Sequence, residues 1–97
     1  MSGLPALLAA LASQTRHDAV MAADEANPYS YDICLHKAEL WRLTSEGFAQ
    51  AAALETESEK TAARYHDSAA RASASATFWS HHAEKLLERE AAAWEPA

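Results

Sequence analysis

A chain of 97 residues has room for one hydrophobic core, and because alanine dominates its apolar half, that core buries little area per side chain. A formal net charge of −6 opposes non-specific attraction to nucleic acid or anionic lipid, and the single cysteine, Cys34, excludes an internal disulfide framework and fits a reducing, cytoplasmic setting. The longest apolar run, Leu4 to Ala12, falls well short of the ~20 residues that a membrane-crossing helix needs.

That run ends in Ala10-Leu11-Ala12, but no basic residue precedes it, so a signal peptide is not expected. Lipidation is not expected either: Gly3 is not second in the chain, and no cysteine lies near its end. A thin core also leaves little margin over the ordering cost of about 1–2 kcal/mol per residue, which points to self-association as a source of further buried area.

Two glycines and three prolines are all that punctuates a sequence rich in strong helix formers, and strand-like alternation is missing. A first helix is predicted over about 4–26, with Pro5 in its first turn and an apolar stripe of Leu4, Leu8, Leu11, Thr15, Ala19 and Ala22. Asn27-Pro28 breaks it, and Asn27 is the expected cap of a second helix over 28–54. That helix carries Cys34, Ala38, Trp41, Phe48 and Ala52 at three-or-four spacing, widened by Ile33, Leu40 and Leu54.

Gly47 lies inside the second helix at a cost of about 1 kcal/mol. Two readings of the following turn compete. One puts it at 55–58, where Thr56 and Glu59 match a capping box; the other ends the helix at 44–47 and starts a much longer one at Phe48. With the first, a third helix runs over 58–94 and stops at Pro96. The fold expected is all-α: a single helical domain, either a three-helix bundle or an extended antiparallel hairpin with a preceding helix, associating as a dimer.

The third helix is the most informative. Steps of three and four link Ala62, Tyr65, Ala69, Ala72, Ala76, Trp79, Ala83 and Leu86 into a heptad-type seam with Trp79 as its one large anchor; because two shorter helices cannot cover this helix fully, Tyr65, Ala69, Ala72, Ala76, Trp79, Ala83 and Leu86 are expected to meet a second copy or another protein. Beside it runs a line of Lys60, Arg64, Arg71, Ser75, Phe78, His82, Lys85 and Arg89, gathered within about 80° when successive residues turn by about 100°. Asp67 interrupts this line and is placed to pair with Arg64, while Glu59, Glu84 and Glu88 occupy a different flank. As an ordinary solvated side the line needs no partner; as a site, its cations Lys60, Arg64, Arg71, His82, Lys85 and Arg89 suit an acidic surface.

Chemistry finds little to work with. Asp32 and His36 share a helix face but make only two ligands, and His81 and His82 diverge by about 100°. Glu-x-x-His pairs, the mark of carboxylate-bridged bundles, do not occur. Cys34 and His36 point to opposite sides of a helix, the serines lie in no Gly-x-Ser-x-Gly elbow, and phosphate-binding glycine loops are absent.

The reading by elimination is a small acidic helical interaction module, not an enzyme, that binds and regulates or inhibits another protein, with no metal or cofactor. Two alternatives remain. One is a metal-binding protein or enzyme subunit using Asp32, His36, His66, His81 and His82; the other is nucleic-acid association through the basic line of the last helix.

Overall fold

The computed structural model describes residues 3–22 and 30–94. It contains three helices, α1 (Leu4–Met21), α2 (Tyr31–Leu54) and α3 (Glu59–Trp94), and among the described residues no strand. The helices run 18, 24 and 36 residues. At about 1.5 Å per residue α3 is therefore ~18 Å longer than α2.

Each start has an identifiable cause. Pro5 sits in the first turn of α1, where a missing N–H costs nothing. The cap of α2 is Ser30, whose Oγ accepts from the Ile33 N–H at 3.2 Å. This moves the start of α2 to three residues beyond the expected 28; Asn27 and Pro28, like residues 23–26 of the expected first helix and Pro96, lie outside the described residues.

The chain turns at 55–58, and α2 continues through Gly47. In the turn the Glu55 carboxylate accepts from the Glu57 and Ser58 N–H groups, both at 3.2 Å, and Ser58 Oγ accepts from the Thr61 N–H at 3.1 Å. Ser58, and not Thr56, is thus the hydroxyl that caps α3.

α2 is the central element, with α1 packed on one side of it and α3 on an adjacent side. Both pairings are antiparallel. Ala12 lies against Gly47 and Ala19 against Lys37, so α1 ascends as α2 descends; Phe48 meets Tyr65, Ser45 meets Ala69 and Lys37 meets Trp79 in the same sense on α3. A Cβ on Gly47 would stand 2.9 Å from the Ala12 Cβ, so the missing side chain is what lets α1 and α2 close together.

This close approach also rotates α1 away from its expected stripe. Of that stripe Ala19 is buried as expected and Leu8, Thr15 and Ala22 are half-buried, but Leu4 and Leu11 are exposed, and Pro5 and Ala12 face inward in their place. Small residues win the interface because they allow the backbones nearest approach. The core that results is thin, with Phe48 packed among Ala12, Ala69, Ala9 and Tyr65, and Thr44 and Cys34 the largest fully buried side chains. Thr44 stays satisfied by donating to the Leu40 carbonyl at 2.8 Å.

Candidate functional site

The seam of α3 is seated on α2 of the same chain. Ala69, Ala72 and Ala83 are buried, and Ala62, Tyr65, Ala76, Trp79 and Leu86 are half-buried. The Tyr65 ring lies 6.4 Å from that of Phe48, and the Ala69 carbonyl accepts from Ser45 Oγ at 2.8 Å. The seam that the sequence assigns to a second copy or another protein packs on an internal helix as far as Leu86. From Leu87 to Trp94 every residue is exposed, Trp94 by 86%.

Trp79 does more than fill space. The Lys37 ammonium sits 4.7 Å from the centre of a Trp79 ring face and donates to the Ala19 carbonyl of α1 at 2.9 Å. A lysine that is 4% exposed thereby joins all three helices. Its position was legible as a cation three residues after Cys34 and one before Ala38, inside the apolar stripe of α2, though nothing in the spacing said what would receive its charge.

The side of α3 that carries Trp79 toward Lys37, and so toward α1, is also the side that carries the basic line. His82 packs edge-on to Trp79 at 5.9 Å and stacks within 6° of parallel on Phe78 at 6.2 Å. Phe78 in turn meets Trp79 edge to face at 5.1 Å. His82 is half-buried by these contacts, whereas Lys60, Arg64, Arg71, Lys85 and Arg89 are exposed. Asp67 pairs with Arg71, Nε to Oδ2 at 3.1 Å, and not with Arg64.

α1 adds to this face what the sequence did not suggest. Arg16 lies over the Phe48 ring at 5.3 Å. Beside it, Ser13, Arg16, His17 and Val20 line an open pocket with Trp41, whose enclosed Nε1 has no protein acceptor among the described residues. Exposed Val20 and Phe78, the latter 60% exposed, give the face apolar contact area between its cations. The combination of guanidinium groups with accessible aromatic surface suits recognition of carboxylates carried on an apolar scaffold.

The opposite side of the α2–α3 pair is an open cleft of small and charged residues, with Ser73, Ala76, Thr77 and Ser80 facing Leu35, Glu39 and Arg42. Arg42 binds Glu39 and reaches Glu46 at 2.6 Å, and its hydrogen bond holds the Glu39 carboxyl below the usual range while the guanidinium is pushed upward by the two acids. A carboxylate kept ionised on an open surface is poorly placed to give up a proton. Glu59, Glu84 and Glu88 are exposed, and His81 Nδ1 approaches Glu84 to 3.9 Å.

His17, His36, His66 and His81 are exposed, and among the described residues no three of His, Cys, Asp and Glu come together around a possible ion. No described helix is long and apolar enough to cross a membrane. Comparison of the chain with protein-family models, curated proteins and solved structures gave no match.

Proposed function

We propose that this chain is a helical protein-interaction module, without catalysis of its own, that docks an acidic segment of a partner protein on the basic face of α3 and the adjoining edge of α1, and regulates or inhibits that partner. The observation that carries the reading is segregation of charge. In a chain of net charge −6, Lys60, Arg64, Arg71, Lys85 and Arg89 share one line of α3, with an exposed Phe78 in its middle. A merely solvated helix side gains nothing from such a ring. The buried thiol of Cys34, the chain's single cysteine, agrees with a cytoplasmic location.

The test is titration of the full chain with a synthetic amphipathic peptide bearing Glu and Asp around a Leu anchor, followed by tryptophan fluorescence. Binding should weaken as salt rises, and Arg64→Glu with Arg71→Glu should reduce affinity by at least about tenfold. Phe78→Ala should weaken it with little change in salt dependence. Equal binding by wild type and the double variant would reject the reading. The same cations also suit phosphate, so tighter, steeply salt-dependent retention on duplex DNA than on the peptide would replace it with nucleic-acid association.

A further inference from the structure

Ser13, Arg16, His17 and Val20 recur at three-or-four spacing and so form one line of α1, beside its buried row of Ala12 and Ala19. α2 contributes Trp41, which shares a helix line with Lys37 and Phe48. Together these five side chains line an open pocket of about 340 Å³, and none of them is acidic. A pocket of that volume lies at the lower end of the range for small-molecule sites, so it suits one side chain or one small acid and not a nucleotide.

The pocket is rich in donors that lack an acceptor. Trp41 Nε1 is enclosed, has no protein acceptor among the described residues, and belongs to a ring that can only donate. Arg16 is held by the Phe48 ring at 5.3 Å and by a bond from its Nη2 to Ser13 Oγ at 3.2 Å. Among the described residues it pairs with no carboxylate. Ser13 accepts that bond and keeps its own proton to give. An enclosed N–H without a partner is costly to the free chain, and it stands here beside a guanidinium without a counter-charge.

We infer that this pocket binds a carboxylate, which accepts from Trp41 Nε1 and from Arg16; resting on the function proposed above, its occupant is a glutamate side chain of the partner's acidic segment. The two oxygens of a carboxylate take both donors at once. Phosphate matches less well, because one full cation among neutral donors balances a single negative charge and not a dianion. Arg16 and Val20, which border the pocket, are exposed, so admitting an acceptor to the Nε1 takes a change of side-chain rotamer and no parting of helices. Phe48, on which Arg16 rests, also meets Tyr65 of α3, the neighbour of Arg64 in sequence, so a segment lying on the basic line reaches the pocket.

The indole N–H resonances of Trp41, Trp79 and Trp94 in a proton–nitrogen spectrum of the full chain test this. Trp41→Phe assigns one of them; should that variant lose its helix by circular dichroism, Trp79→Phe and Trp94→Phe assign it by exclusion. Titration with N-acetylglutamate α-amide should move the Trp41 indole proton saturably downfield and leave the other two in place, whereas the glutamine counterpart should move none. Arg16→Gln, at an exposed position, should weaken the response about fivefold or more, and Arg64→Glu with Arg71→Glu should leave it unchanged. The acidic peptide should move the same resonance. A peptide that binds without moving Trp41 overturns this inference alone, and a small acid that moves Trp41 while the peptide fails to bind upholds the pocket and rejects the acidic segment as its source. An equal response to the glutamine compound, a tighter one to inorganic phosphate, or an undiminished one in Arg16→Gln overturns the carboxylate site.

Discussion

Lys37 donates to the Ala19 carbonyl at 2.9 Å, placing a buried ammonium among the last carbonyls of α1. α1 has no basic residue in its own last turn, so the cation that favours the negative end of its dipole comes from α2. The Trp79 ring covers the same ammonium from α3. Charge-assisted hydrogen bonding and a desolvated cation–π contact thus stabilise both helix pairings through one side chain.

Lys37→Met keeps most of the stem's packing while removing the charge. It should destabilise the chain by about 2–3 kcal/mol, read from the urea midpoint at constant slope. A change below about 0.5 kcal/mol would give Lys37 the value of an ordinary surface residue and remove its joining role.

Gly47 supports a prediction of unusual sign. Replacing glycine by alanine inside a helix ordinarily gains about 1 kcal/mol, but here the added Cβ meets Ala12 at 2.9 Å. Gly47→Ala should instead cost about 1–2 kcal/mol through overpacking. Ala12→Gly in the same chain should recover part of the loss, with a coupling of about 1 kcal/mol or more in the double-mutant cycle. Additive single effects would mean that α1 yields at this crossing.

The helical class and the three elements were readable because propensity, punctuation and three-or-four spacing agree along α2 and α3. The seam residues Ala69, Ala72 and Ala83 do turn inward. What periodicity could not rank was α1, where leucine and alanine rows compete for one interface. Hydrophobicity favours Leu4 and Leu11, but Gly47 provides a notch that only the Ala12 row fits. The basic line was legible from α3 alone, whereas Arg16 and Trp41 reach the same face through the pairing of α1 with α2, which no local pattern encodes.

Choice of cap can be tested at the α2–α3 turn. Two hydroxyls precede α3, and the capping-box pattern favours Thr56, yet Ser58 Oγ is the acceptor of the Thr61 N–H. Ser58→Ala should therefore lower stability by about 1 kcal/mol and Thr56→Ala by a few tenths at most. Thermal unfolding of the two variants distinguishes them, and a larger loss at Thr56 would restore the pattern's reading.

Cys34 is the group whose titration should be visible in stability. Its side chain is fully buried, and burial raises the thiol above its ordinary value of 9.0, with the positive charge of Lys37 pulling weakly the other way. The native state therefore holds the thiol proton after the unfolded chain has released it. Below pH 9.0 both states are protonated and the thiol adds no pH dependence. As pH climbs beyond that value, deprotonation favours the unfolded chain, and stability falls until the native thiol itself ionises. Urea midpoints measured on either side of this value should show a decline in the wild type that is reduced in Cys34→Ala, whose midpoint retains only the contributions of other groups. Thiol-reactive reagents at neutral pH should label the native protein slowly, at a rate set by opening of the structure. Cys34→Ser should cost about 1–3 kcal/mol, because a buried hydroxyl needs a partner more than a thiol does, while leaving the state of association in reductant unchanged. Rapid labelling of native protein, or an identical alkaline decline in Cys34→Ala, would show that the thiol is reached by solvent and is not a packed element of the core.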